Sequence, residues 1–223
     1  MEINKIKVRE KAVMRKIIPT VFARNKREFN ERFERLYKVS HSLQIDFMDN
    51  RFVRGKSVNL KDIPNLRGKR IFEAHLMVNY PSKYLFGLKK KGFSKVIFHI
   101  ECKEDAEKII KKINKLKMTA FIAVNPSTNI KDFEGILDKI KGVLFMGVYP
   151  GREGQKFVGK VYGKIKRFKL EHQNVRIQVD GGVNLNNISK LKEVGVSIVN
   201  TGSFVDEADN PRKALKMLKR KFI

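Results

Sequence analysis

The chain has 223 residues, 42% hydrophobic and 32% charged, and its 49 Lys+Arg against 23 Asp+Glu leave a formal net charge of +26. That apolar share excludes a disordered polycation, and a globule of this length buries roughly 70–75% of its unfolded surface without a staple. Cys102 is the single cysteine, which excludes an intrachain disulfide and a cysteine-based metal centre. No apolar run approaches the roughly 18–20 residues of a membrane span. The opening MEINKIKVREKAVMRK is basic but lacks the apolar core of a signal peptide. A soluble, cytoplasmic protein is the expectation, and the charge raises RNA as a candidate partner.

The apolar runs are short, regularly spaced and rich in Val, Ile and Phe. Strands are predicted at 16–21, 42–47, 70–77, 95–99, 118–124, 143–148, 175–179 and 198–201. Runs such as TAFIAV and VLFMGV are almost continuously apolar. That pattern suits strands covered on both faces, as in a parallel sheet. Helical spacing fills the intervals. Asn25 is placed to cap a helix running to about residue 38, with Phe29, Phe33 and Leu36 on one face. Residues 105–116 set Ala106, Ile109, Ile110 and Ile113 on one face and lysines on the other. Residues 130–140, 159–171, 185–194 and 211–221 read likewise. Gly92 and Gly195 fall where helix C-caps would lie. The stretch 57–66, broken by Pro64, has the least regular pattern.

Eight strands each followed by a helical or loop segment argue for a parallel sheet in one domain. The count within about 210 residues favours a closed (β/α)₈ barrel over an open doubly wound sheet. Residues 16–223 form this domain, and 1–15 precede it as a basic extension. In such a barrel the functional residues sit at the C-terminal ends of the strands.

Those ends carry unusual chemistry. Gln44 and Asp46 share a parity on the second strand, so both can face the barrel interior. His75 ends the third strand and Asp180 the seventh. Two carboxylates, an imidazole and an amide around one mouth suit a divalent ion bound by N and O donors. They equally suit acid/base chemistry with a carboxylate on each side of a substrate. Singly, each aspartate reads as a strand-end cap and His75 as a satisfied core histidine. Together, at three strand ends, they mark a site. Gly181-Gly182 and Gly202-Ser203 follow strands seven and eight, where this barrel usually binds phosphate through backbone N–H groups.

Over residues 16–204 the segments IIPTVFA, QIDFMDNRFV, AHLMV, VNPST, MGVYPGREGQKF, QVDGGVNLNNI and NTGSF follow one another in a familiar order. In this order and spacing the chain resembles the ribulose-phosphate 3-epimerase family. The resemblance implies a (β/α)₈ barrel that interconverts ribulose 5-phosphate and xylulose 5-phosphate with one divalent ion, Zn, Fe, Mn or Co. It implies that Asp46 and Asp180 are the acid/base pair and also metal ligands, with His75 a further ligand. The family's other histidine ligand falls on Gln44, whose amide oxygen is the weaker donor. Met48, Met77 and Met146 match the methionines that line the family's site. Thr20 replaces a serine and keeps the hydroxyl. Gly151, Gly154, Gly182, Gly202 and Ser203 match its phosphate loops. Tyr149, Arg152 and Glu153 depart from the family's strand-six loop.

Related barrels that decarboxylate or condense phosphorylated substrates carry Asp-x-Lys-x-x-Asp, whereas Asp46-Phe-Met-Asp49 has no lysine at that place. The alternatives kept beside the pentulose reading are a hexulose-phosphate 3-epimerase and a barrel that binds a sugar phosphate, or RNA, without turnover. A homo-oligomer is expected and a membrane partner is not. The lysines and arginines are spread over most predicted helices, which favours a solvated surface over an RNA site. His99 and Glu101 follow the fourth strand and are candidates to support the ligands or the core. His41, Cys102 and His172 are expected outside the mouth.

Overall fold

A computed structural model describes residues 14–66, 68–151 and 154–223. Its elements are β1 (Lys16–Val21), α1 (Lys26–Tyr37), β2 (Ser42–Met48), β3 (Ile71–Met77), α2 (Ser82–Lys91), β4 (Lys95–His99), α3 (Ala106–Lys115), β5 (Thr119–Val124), β6 (Gly142–Met146), α4 (Lys160–Glu171), β7 (Arg176–Asp180), α5 (Ile188–Glu193), β8 (Ile198–Thr201), α6 (Ser203–Asp206) and α7 (Pro211–Phe222). The strands close into one parallel barrel in chain order, with β8 pairing back onto β1. The eightfold barrel is therefore the fold, and the open sheet is excluded. The basic segment 1–15 lies, apart from Met14 and Arg15, outside the described residues, as do Arg152 and Glu153.

Strand alternation divides the core in two. Leu43, Ile45 and Phe47 of β2, like Phe72, Ala74 and Leu76 of β3, point outward and pack under the helices. Ile18, Ile97, Phe121, Ala123, Leu144, Met146 and Ile198 fill the barrel interior. The register sets inward side chains in layers: Gln44 lies beside Glu73 and Glu73 beside Lys95, while Asp46 lies beside His75 one layer higher. Polar residues thus occupy two successive inward layers of β2 and β3.

Local chemistry places the helices. Asn25 accepts the Glu28 N–H at 3.0 Å and Asp105 the Lys108 N–H at 2.8 Å, capping α1 and α3 as expected. Asn210 caps α7 ahead of Pro211. Gly92 ends α2 at φ 97°, and a Cβ there would lie 2.1 Å from the Leu66 carbonyl oxygen, so only glycine fits.

One predicted helix is corrected. Residues 130–140 form two 3₁₀ segments, Ile130–Asp132 and Glu134–Lys139. Gly135 weakens an α-helix at its centre, and the Asp132 carboxylate turns back onto the Asn129 N–H at 3.0 Å. The i→i+3 bonds of Phe133 and Ile136 then tighten the chain. Phe133 is buried against Phe145 and Phe168, with ring centroids 6.4 and 5.9 Å away. The stretch 57–66 holds only the 3₁₀ turn Leu60–Asp62.

Candidate active site

A cavity opens at the C-terminal mouth of the barrel. Thr20, Asp46, Met48, His75, Met77, Met146, Gly151, Gly154, Asp180, Gly181, Gly182, Gly202 and Ser203 all line it. These are the residues expected there, with one exception. Gln44 is fully buried beneath the cavity floor. It turns its amide nitrogen to the carboxylates, at 2.6 Å from Asp180 Oδ2 and 3.0 Å from Asp46 Oδ1. Ligation through Oε1 needs the opposite orientation.

Three strand ends build the cluster. His75 Nδ1 lies 3.3 Å from Asp46 Oδ1 and 3.4 Å from Asp180 Oδ2. One donor atom from each of Asp46, His75 and Asp180 falls within 4.8 Å of the others, and all three residues are buried. His75 Nδ1 is buried and has no hydrogen-bond partner of good geometry. An orphaned ring nitrogen aimed between two carboxylate oxygens is a donor set that a divalent ion fits.

The other face of His75 is fixed from behind. His75 Nε2 lies 3.0 Å from His99 Nε2, and His99 Nδ1 lies 3.2 Å from Glu101 Oε2. Glu101 also accepts the Asn125 N–H at 2.8 Å and the Thr128 hydroxyl. Burial opposes its ionisation, but the bonds from His99, Asn125 and Thr128 prevail and hold its carboxyl below the usual range. Burial keeps His99 neutral by lowering its pKa. The ionised Glu101 only accepts, so His99 carries its proton on Nδ1 and receives one from His75 Nε2. That leaves His75 Nδ1 with a free lone pair whenever the ring is neutral.

Without a cation, a proton takes its place. Burial disfavours a charged His75, yet the hydrogen bonds and charges of Asp180 and Asp46 outweigh it and push the ring up to about 9. Asp46 is nevertheless raised as well, because burial, reinforced by the like charge of Asp180, outweighs the help of one imidazolium.

The walls follow from the loops. Met48 and Met77 pack with Phe22 against Phe52 and Val53, and the Phe52 ring meets His99 in a tilted contact with centroids 4.7 Å apart. Gly181 adopts φ 95°, and a Cβ there would come within 2.5 Å of Val148 Cγ2. Glycine therefore lets the β7 loop fold tightly at the mouth. α6 begins directly at Ser203, a short helix that the sequence patterning did not anticipate. Tyr149 is 46% exposed at the rim. His41 is exposed, while His172 meets Phe168 in a tilted ring contact with centroids 4.7 Å apart, away from the mouth. Cys102 is half-buried with its thiol pushed up by burial, which argues against a reactive thiolate.

Sequence reasoning missed Phe22, Val148, Pro150 and Gln155 in the lining. It also missed the interior residues Glu73, Lys95, Gln178 and Asn200, all buried. A signal for two of them existed: Glu73 precedes His75 by two positions and Gln178 precedes Asp180 by two, on the same inward parity.

The model of the Ribulose-phosphate 3 epimerase family matches residues 15–205. The ribulose-phosphate 3-epimerase of Schizosaccharomyces pombe is 27% identical over 213 residues, covering 93% of each chain. That of Buchnera aphidicola is 30% identical over 187 residues, 80% of this chain and 82% of its own. The cytoplasmic isoform from Oryza sativa is 27% identical over 94% of this chain and 95% of its own. Among solved structures, KGPDC from Streptococcus mutans superposes with a TM-score of 0.71 at 16% identity, over 93% of this chain and 97% of that one. The 3-hexulose-6-phosphate synthase of Salmonella typhimurium gives 0.68 at 12% identity, over 93% and 97%. These two share the barrel. Among the described residues no helix is long and apolar enough to cross a membrane. The family model spans most of the chain, residues 15–205, and the chain therefore belongs to the ribulose-phosphate 3-epimerase family of isomerases.

Proposed function

We propose that the protein interconverts ribulose 5-phosphate and xylulose 5-phosphate by moving a proton at carbon 3. The observation that carries this is the convergence of Asp46 and Asp180 on His75 in one cavity that also holds the glycine loops. The proton on carbon 3 is acidified by the adjacent ketone. One aspartate removes it and the other returns a proton to the opposite face, so each serves as base in one direction and as acid in the other.

Asp46, His75 and Asp180 would hold the divalent ion, and the ion would supply Lewis-acid stabilisation of the charge that develops as the proton leaves. His99 and Glu101 orient His75 for that role. Thr20 and the loops after β6, β7 and β8 line the cavity and would hold the polar end of the substrate, with backbone N–H groups of Gly182, Gly202 and Ser203 offered to the phosphate. Met48, Met77 and Met146 form the apolar wall that limits water at carbon 3. The surface charge draws an anionic substrate towards the mouth.

The test replaces each aspartate by asparagine, which keeps shape and removes the proton acceptor. Asp46→Asn and Asp180→Asn should each lower epimerisation by about 10²–10⁴-fold, followed by NMR of the sugar phosphates. Near wild-type turnover in either folded variant refutes the two-base reading.

A further inference from the structure

Beneath the cluster, five buried polar side chains cross the barrel interior as one hydrogen-bonded relay. Lys95 Nζ pairs with Glu73 Oε1 at 3.0 Å and donates to Gln178 Oε1. Its ammonium also lies 3.6 Å from the centre of the Phe121 ring. Gln178 Nε2 donates to Glu73 Oε2 at 3.0 Å and to Asn200 Oδ1 at 2.6 Å. Asn200 Nδ2 donates to Gln44 Oε1 at 2.9 Å. Gln44 Nε2 then donates to Asp180 Oδ2 and Asp46 Oδ1, with Thr20 Oγ1 at 3.4 Å.

The two ends of a side-chain amide have nearly the same shape, so neighbours decide which way it points. An ammonium offers only donors and an ionised carboxylate only acceptors. Lys95 therefore claims Gln178 Oε1, and Glu73 claims Gln178 Nε2. Gln178 has only N–H left for Asn200, which must receive it on Oδ1 and donate onward through Nδ2. Gln44 must receive that donor on Oε1, which turns its N–H groups upward. Turning Gln44 over alone would set two amide nitrogens against each other and an amide oxygen against two carboxylates. In a dry interior each such mismatch is costly.

We propose that Gln44 is a positioning residue and not a ligand: the relay anchored on Lys95 and Glu73 turns its N–H groups onto Asp46 and Asp180, and a divalent ion at the cluster is held by Asp46, His75 and Asp180 alone. This rests on the reading of the cluster as a metal site. The oxygens that Gln44 grips, Asp46 Oδ1 and Asp180 Oδ2, are the ones that face His75 Nδ1. The amide and a cation therefore draw on the same two carboxylate oxygens, and the amide competes with the ion for their charge.

The test is Co²⁺ binding, measured by calorimetry, in a double-mutant cycle of Gln44→Leu and Asn200→Asp. Gln44→Leu should bind Co²⁺ as tightly as the parent or more tightly, because a competing donor is gone. Asn200→Asp presents acceptors on both sides, so Gln44 turns over and its Oε1 joins the ion. Affinity should then rise by about tenfold or more, the scale of a ligand-level change. In the Gln44→Leu background the same substitution should gain less than about threefold, since only its charge remains. An equal gain in both backgrounds overturns the proposal. So does a tenfold weakening in Gln44→Leu, and that single variant decides the matter if Asn200→Asp does not fold. Absence of Co²⁺ binding by every protein, the parent included, overturns the metal-site reading and the proposal together. Binding by the parent with an additive cycle overturns the proposal alone.

Discussion

In the metal-free protein, raising the pH from 6 to 9.5 should remove stability through one side chain, His75. Its ring holds a proton to about 9 in the fold, against an ordinary value of 6.5. A folded-state pKa above the unfolded one means that the folded state binds the proton more tightly. The stabilisation is complete below pH 6.5 and drains away as the pH climbs through 9. The gap corresponds to about 3 kcal/mol, a sizeable part of a domain's usual net stability. The source is local: two carboxylate oxygens at 3.3 and 3.4 Å from Nδ1 in a buried pocket. The assay is urea unfolding in the presence of a chelator across this range, for the parent and for His75→Asn, which carries no titrating group. Other groups titrate too, so the difference between the two proteins is the quantity of interest. It should shrink by about 3 kcal/mol between pH 6 and 9.5. Parallel curves would refute the reasoning, for then His75 carries no proton between the aspartates.

Other consequences are as specific. Glu101→Gln replaces an obligate acceptor behind His99 by an amide that can also donate, so it should weaken Zn²⁺ binding by about 10–100-fold in a calorimetric titration. An unchanged affinity would separate Glu101 from the orientation of His75. Phe168 is fully buried, with the Phe145 ring 5.2 Å away, and Phe168→Ala should cost about 3–5 kcal/mol in urea unfolding. A loss below 1 kcal/mol would show that this part of the outer core does not depend on that ring. Lys164 donates to the carbonyls of Asn125 and Thr128 at 2.9 and 2.6 Å, and burial lowers it to about 8. A folded-state pKa below the unfolded one makes its charge a cost at neutral pH that is relieved between about 8 and 10.5. The stability of the parent relative to Lys164→Met should therefore rise over that window, and a flat difference would contradict the burial argument.

The strands and the upper layer of the site were legible because both rest on local pattern. Alternation put Asp46, His75 and Asp180 on inward parity, and β-branched runs marked the strands that carry them. The family's motifs extended this to the methionines and glycine loops. The helix expected at 130–140 failed because Gly135 and the Asp132 turn are local choices that apolar spacing alone does not weigh. The lower layer was harder for a different reason. Lys95 meets Gln178 across 83 positions, and only the closed register brings them together. The direction of the Gln44 amide is harder still, since one residue type offers a donor or an acceptor and the choice is made three side chains away. The net charge of +26 divides along similar lines. Most lysines are solvated on the outer helices, as expected. Lys95 inside the barrel is a different kind of residue, an internal anchor.

The most direct test of the central claim is deuterium incorporation at carbon 3 of ribulose 5-phosphate in D₂O, with Zn²⁺, Mn²⁺, Fe²⁺ or Co²⁺ supplied in turn. Xylulose 5-phosphate carrying deuterium at carbon 3 is expected with at least one of these ions, formed about 10²–10⁴-fold more slowly by Asp46→Asn or Asp180→Asn. A folded protein that leaves carbon 3 unlabelled with every ion would contradict it.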